Sequence, residues 1–338
     1  MARKTAATLS VRIVRRSTPR VWIGRPRGGR GADHRQILEL DLGGTGDHCA
    51  EVAGIEMLHG DDDRRAWDEL PRSAFPHGRG DSQEGEGESI YDRIGRGYGT
   101  ARGEDPRIAA AIERGLGAAR SVVNVGAGTG SYEPRDCEVT AVEPSAVMIA
   151  QRPAGRAPVI QAAAEALPLA DDSFAAAMAI FTDHHWEDRA AGIGELRRVA
   201  RDRVVMVNAD PALIGDFWLA RDYLPAFARI APEPYREPGY WEAELRGLLG
   251  EVEIEPIPIS ADCRDGFCGA WWRRPEAYFD ASVRAGISVF QVLPEEEVRA
   301  GLERLRADLD DGTWARRNAE LLAREETDLG IRLVVARL

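Results

Sequence analysis

The sequence predicts an α/β domain built on a doubly wound, mostly parallel sheet. Three observations predict it. Short β-branched runs alternate with amphipathic stretches from about residue 89 onward. The first run, Val122–Val125, feeds straight into Gly126-x-Gly128-x-Gly130. The second, Val139–Val142, ends in an acid, Glu143. Parallel strands need crossover helices, and those helices cover both faces of the sheet.

Each element has its own warrant. Ile90–Arg102 and Pro106–Leu116 read as helices, the second capped by Asp105 with Pro106 at its first position. Ser121–Val125 and Val139–Val142 read as strands, and Val147–Gln151 begins a helix. A strand follows the loop Ala166–Asp172, within Asp172–Phe181. Arg189–Ala200 carries Ile193, Leu196, Val199 and Ala200 on one face, the helical spacing. Arg203–Asn208 is an apolar strand. Val252–Ile259 alternates apolar with polar or proline residues, so it reads as a strand exposed on one face. Gly330–Arg337 is the last strand. No internal repeat is visible.

Composition limits the function. The chain has 338 residues and a net charge of −12, with 44 Lys+Arg against 56 Asp+Glu. Lys4 is the sole lysine. The first 35 residues carry ten basic groups and one acid, whereas residues 36–90 carry fourteen acids and four basic groups. These nearly cancel, so the acidity belongs to the body of the chain. An acidic body is a poor partner for nucleic acid. No stretch approaches 18 apolar residues, which argues against a membrane span. Four cysteines in a chain this long do not make a disulfide framework, so a cytoplasmic setting is expected. Cys263 and Cys268 lack the second pair a zinc site needs, and no metal site is expected.

The chain divides near residue 88. Residues 1–88 interleave arginines with Gly and Pro, then run into Asp61–Asp62–Asp63 and a polar tract. So charged and Gly-rich a segment has little apolar area to offset its ordering entropy. Short strands are possible only at Leu9–Val14 and Ile37–Leu42. A transit peptide, a nucleic-acid-binding arm and a disordered extension arising from too early a start all fit this composition; the last is the expectation. Residues 89–338 are expected to form one domain, with insertions at about 211–250 and 260–329. Both insertions are dense in aromatic residues, which suggests a lid over an apolar or aromatic small molecule or, more plainly, side chains that pack the lid onto the sheet.

The glycine loop carries the chemistry. Glycines there permit positive φ and close approach of a ligand to the backbone, at the carboxyl end of a strand where doubly wound sheets bind ligands. An acid at the tip of the second strand can accept hydrogen bonds from both hydroxyls of a ribose. Together they imply an adenosine-containing cofactor. A dinucleotide fingerprint, G-x-G-x-x-G, needs its third glycine one position later, where Ser131 stands, and a full helix facing pyrophosphate. Pro134 limits any helix here to a turn or two.

In these motifs the chain resembles the class I S-adenosylmethionine-dependent methyltransferases, in particular the type 11 group. NVGAGTG (124–130) resembles the loop under the methionine part of the cofactor. TAVEPS (140–145) carries the ribose acid. AEALPLADDSFAAAMA (164–179) is similar to the adenine loop and fourth strand. FTDHHWED (181–188), ELRRVARDRVVMVNAD (195–210) and YDRIGRGYGTAR (91–102) match further segments in family order. The resemblance implies a Rossmann-like sheet of seven strands, the last antiparallel, with helical insertions capping the cofactor. Three departures stand out. Asn124 replaces the usual acid, the helix after the loop is shortened, and Arg201–Asp202–Arg203 replaces the usual Gly-Gly turn.

The resemblance also implies site residues. Asn124, Gly126, Ala127, Gly128 and Gly130 would form the cofactor loop, with amides meeting the ligand. Glu143, Pro144 and Ser145 would hold the ribose. Ala164 and Glu165 would meet adenine, and Leu167 would pack on its face. Phe181 and Thr182 end the fourth strand beside the cofactor. Tyr98 and Arg102, four apart on one helix face, would reach the cofactor carboxylate or simply pack. His184, with His185 beside it, is a candidate base for an attacking oxygen or nitrogen; methyl transfer can also proceed by positioning alone. The expected function is methyl transfer from S-adenosylmethionine to a small molecule by direct displacement. An NAD(P)-dependent oxidoreductase and a catalytically silent cofactor-binding protein are the rivals.

Overall fold

The computed structural model describes Ser10–Val14, Arg20–Gly24, Ile37–Leu38 and residues 103–338. The first three segments form a small antiparallel sheet of their own, with Arg20–Gly24 in the middle. The apolar pattern anticipates its first and last strands. It misses the middle one, where the run Val21–Ile23 is short and flanked by Arg20 and Gly24.

The larger unit holds a seven-stranded sheet. In chain order its strands are β1 (Ser121–Val125), β2 (Glu138–Val142), β3 (Val159–Ile160), β4 (Phe174–Ile180), β5 (Ala200–Ala209), β6 (Val252–Pro256) and β7 (Ile331–Arg337). Their spatial order is β3-β2-β1-β4-β5-β7-β6. The first five are parallel, and β7 runs antiparallel to both β5 and β6. This is the predicted fold class. Strand β3 has only two residues, too few to show a periodicity.

Side-chain alternation assigns the two faces. Val122, Met178, Val205, Val207, Leu333 and Val335 point to one layer, under helix α1 (Pro106–Leu116) and the insertions. Val123, Ala177, Val204, Met206, Val334 and Ala336 point to the other. That second layer is covered by α3 (Arg189–Val199) and α4 (Tyr240–Leu249), while α2 (Ala146–Ala150) follows β2. A period of two on every central strand is what a sheet buried on both faces requires.

Three sequence expectations need correction. The insertion at about 211–250 is shorter than expected as a cap: Trp241, Leu245 and Leu249 of α4 pack on the second layer beneath β6. No helical turn begins near Pro134; residues 126–137 are turns, bends and irregular chain. In place of a Gly-Gly turn, β5 begins directly at the end of α3 and carries a bulge. Phe174 pairs with Ala200 and Ala176 with Arg203, one intervening residue opposing two.

Candidate functional site

The carboxyl end of β1 turns sharply through three glycines. Gly126, Gly128 and Gly130 have φ of 69°, 51° and 94°, the left-handed region that glycine alone enters without strain. Four of the loop's N–H groups are used within the chain. Those of Gly126 and Ala127 donate to the Val142 carbonyl, and that of Gly130 to Ala127. The Gly128 N–H donates to Glu143 Oε2 at 2.8 Å. The loop therefore turns a largely bare backbone surface outward.

Glu143 is 4 % exposed, and its second oxygen accepts from the Ser145 N–H at 3.0 Å. These two backbone donors orient the carboxylate at the end of β2. Ser145 is fully buried; its hydroxyl caps α2 by accepting from the Met148 N–H. Ser145 thus supports Glu143, and exposed Pro144 between them accepts from the Gln161 amide through its carbonyl. Asn124, 2 % exposed, sits on β1 just before the loop.

What takes the place of the missing helix is a buried ion pair. Arg152, just past α2, bonds Glu133 at 2.5 Å, and both side chains are about 5 % exposed or less. The same guanidinium donates to the Gly128 carbonyl at 3.1 Å. Glu133 also accepts from the Ala157 N–H. The next residue back, Tyr132, has φ of 64° and a hydroxyl that donates to buried Asp265 at 2.8 Å and accepts from the Asp105 N–H at 3.1 Å. These bonds tie the cofactor loop to α1 and to the second insertion.

The segment expected to meet adenine is held from α3. Glu195 accepts from the Leu167 N–H, and Arg198 donates to the Leu167 and Leu169 carbonyls. The hydrogen bond from Arg198 holds the Glu195 carboxyl below its ordinary 4.5, against the opposing effect of burial. Ala164 and Leu167 are both buried in the second layer, so the Leu167 side chain belongs to the core. Glu165 accepts from the Asp188 N–H. Tyr98 and Arg102 lie outside the described residues.

At the end of β4 the backbone is strained. Phe181 has φ of 53°, costly for a bulky residue, and such strain clusters at functional sites. Its ring stacks on Phe267 of the second insertion, with centroids 5.3 Å apart. Thr182 fills the space beside Gly126. His184 and His185 follow, their rings 3.8 Å apart.

These residues floor a cavity. Phe181, His184, His185, Asn208 and Ile331 come from the sheet end, and Phe217, Phe227, Phe267 and Val289 from the insertions. The aromatic residues of the insertions therefore divide. A few line the cavity, while Trp218, Trp272, Tyr278 and Trp314 are buried among themselves and hold the cap together. Tyr235, Tyr240 and Trp241 pack on the opposite layer.

Beneath the histidines lies a buried charge network. Asp183, 1 % exposed, accepts from Arg189 Nε at 2.8 Å and from the Asn208 amide. Arg189 also pairs with Glu244, which accepts from the Tyr235 hydroxyl at 2.7 Å. Burial disfavours the Arg189 charge, but Asp183, Glu244 and Tyr235 outweigh it and raise its pKa. Asp183 is thereby committed to structure. Among the described residues no group of three His, Cys, Asp or Glu side chains could hold a metal. Nor is any helix of the described residues long and apolar enough to cross a membrane.

Arg152, Glu133, Tyr132, Arg189, Glu195, Arg198 and Asn208 escaped the sequence reading as site residues. Apart from the steps from Glu195 to Arg198 and from Asp183 to Arg189, their side-chain partners lie far along the chain, and no short-range pattern marks them.

A parallel sheet with a bare glycine loop on β1, an acid on β2 and a cavity at the ends of β4 and β5 defines an α/β enzyme built for a nucleoside-bearing cofactor. A family profile for a methyltransferase domain matches residues 123–207. A solved structure from Anabaena variabilis ATCC 29413, assigned as a methyltransferase from an antibiotic biosynthesis pathway, is 34% identical, with a TM-score of 0.64 over 70% of this chain and 99% of that one. A SAM-dependent methyltransferase from Thermotoga maritima is 22% identical over 49% of this chain and 82% of its own, with a TM-score of 0.40. No curated protein matches the sequence. The chain belongs to the class I S-adenosylmethionine-dependent methyltransferase family.

Proposed function

We propose that this protein transfers the methyl group of S-adenosylmethionine to a small molecule bound beneath the cap. The observation that carries the reading is the position of the cavity. It opens at the ends of β4 and β5, one residue from Thr182, which packs on the glycine loop. The assignment of the similar Anabaena variabilis protein to antibiotic biosynthesis supports a secondary-metabolite type of acceptor.

The residues fit the cofactor. When bound, it supplies an electrophilic methyl group on a positively charged sulfur. Glu143 would accept from the ribose hydroxyls, and the Asn124 amide oxygen from the ammonium. The backbone of Ala164 and Glu165 would meet adenine. The bare surface at Gly128 would take the methionine part. A dinucleotide fits less well, because no helix N-terminus follows the loop to face a pyrophosphate. His184 would accept the proton of a hydroxyl acceptor.

Glu143→Ala should raise the dissociation constant for S-adenosylmethionine by roughly 5- to 150-fold, the equivalent of about 1–3 kcal/mol. An unchanged constant in calorimetry would refute the ribose assignment. The adenine segment gives a pH prediction. A carboxyl whose folded pKa is lowered stabilises the fold above its unfolded pKa and loses that contribution as the pH falls through the folded value. Fold stability should therefore decline in acid, below the ordinary carboxyl value, as Glu195 protonates, and Arg198→Ala should blunt the decline. Equal acid profiles for the two proteins would exclude Glu195 as the cause.

Turnover tests the function as a whole. Formation of S-adenosylhomocysteine is measured across a panel of apolar metabolites. Cofactor binding with no turnover on any of them would favour the silent binding protein.

A further inference from the structure

Gly128 is held at both of its polar backbone groups. Its N–H donates to Glu143 Oε2 at 2.8 Å, and its carbonyl accepts from Arg152 at 3.1 Å. The other terminal nitrogen of Arg152 bonds Glu133 at 2.5 Å and the Ala157 carbonyl at 3.1 Å. Glu133 in turn accepts from the Ala157 N–H at 3.1 Å. A second arginine follows the same pattern. Arg156 pairs with Glu104 at 2.6 Å, and Glu104 accepts from the Tyr132 N–H at 3.2 Å. Both arginines lie against Gly130, where a Cβ would stand 3.1 Å from Arg156 Cδ and 3.3 Å from an Arg152 nitrogen. We infer that Arg152, held by Glu133, is a positioning residue for the cofactor: through Gly128 it fixes the glycine loop and the ribose acid Glu143 in the shape that S-adenosylmethionine binds. The inference rests on the reading of that loop and acid as the cofactor's seat.

Three glycines within five residues give a loop many conformations of similar energy. A ligand that must order its own seat binds more weakly than one that meets a seat already formed. A helix directly after the loop would anchor it, but residues 126–137 hold none. Arg152, just past α2, supplies the anchor instead. A guanidinium suits the task, because its planar fork reaches Gly128 with one nitrogen and Glu133 and Ala157 with the other. Glu133 keeps that charge paired where both side chains are 5 % exposed or less. Gly128, Glu133 and Ala157 all lie outside the strands, so the pair bears on the loop rather than on the sheet.

Calorimetry with S-adenosylhomocysteine on the full chain tests this, beside thermal melts of the ligand-free protein. Arg152→Met combined with Glu133→Gln removes both charges together, and glutamine can still accept from the Ala157 N–H. This double variant should melt close to the parent, because exchanging a whole buried ion pair for neutral side chains is often near neutral. It should bind S-adenosylhomocysteine about tenfold more weakly, or worse. Unchanged affinity would overturn the inference. So would a protein that fails to fold or melts far below the parent, since the pair would then be a requirement of the fold itself. Arg152→Lys keeps a charge beside Glu133 but not the fork, so it should fold and still lose affinity several-fold. Parental affinity in that variant would exclude the bond to Gly128 as the cause and overturn the inference. A cycle with Glu143→Ala reads the route directly. Removing the pair should weaken binding by a clearly smaller factor in the Glu143→Ala protein than in the parent; equal factors would overturn the route through Gly128 to Glu143. The two readings fail separately. A parent chain that does not bind S-adenosylhomocysteine sinks the cofactor reading, whereas parental binding that the variants leave unchanged sinks only this inference.

Discussion

Gly126→Ala should destabilise the protein by roughly 2–5 kcal/mol, while Gly128→Val should leave it folded but unable to bind S-adenosylmethionine. The two glycines sit two residues apart and do different work. A Cβ on Gly126 would lie 2.0 Å from Thr182 Oγ1 and 2.8 Å from Thr182 Cβ. Threonine is stiff at its first torsion, so it cannot swing aside. The left-handed backbone adds about 1–2 kcal/mol and the overlap another 1–3. Gly128→Val carries the same left-handed backbone strain, at φ 51°, but no overlap, since a Cβ there meets only Met148 Cε at 3.4 Å. The valine methyl groups would instead cover the bare surface of the loop. Thermal melts separate stability from binding, and calorimetry reads the second. Gly128→Val protein that binds the cofactor like the parent would show that the loop is not its seat. A Gly126→Ala protein with an unchanged melting temperature would contradict the packing against Thr182.

Arg189→Met should cost about 3–5 kcal/mol, a large share of a domain's whole stability. Its side chain is 2 % exposed and lies between Asp183 and Glu244. Methionine would fill much of the volume but leave Asp183 as a buried carboxylate with only the Asn208 amide for company. The cost is therefore assigned to the stranded charge, not to lost packing. Adding Asp183→Asn to the Arg189→Met background should recover about half of the loss or more. Denaturant unfolding of the two variants decides it; a double variant no more stable than the single one would mean that packing dominates. The network also fixes the cavity floor, because Asp183 precedes His184 and holds Asn208.

Local patterns carried most of the fold. The Asp105 cap, the Pro106 start and the apolar spacing of α3 placed two helices to within a residue of their observed bounds. β-branched runs placed the long strands. Strand β3 was too short for periodicity, and α4 was taken into the insertion because Trp241 and Tyr240 looked like lid residues. The glycine loop and the position of Glu143 were legible because a tight turn and the end of a strand leave marks within a few residues. The supports were not. Tyr132 meets Asp265 from 133 positions away, and Arg189 meets Glu244 from 55. Such pairs are products of the fold, and a single sequence offers no local trace of them. The same limit explains the aromatic residues: their number suggested a lid, but only topology separates Phe217 and Phe267 on the cavity from Trp241 beneath β6.

The proposed function turns on what the glycine loop and Glu143 bind. Calorimetric titration of the full chain with S-adenosylmethionine, and separately with NAD and NADP, tests this directly. The predicted result is saturable one-to-one binding of S-adenosylmethionine, lost in Gly128→Val, with no measurable heat from either dinucleotide. Binding of a dinucleotide with no heat from S-adenosylmethionine would contradict it.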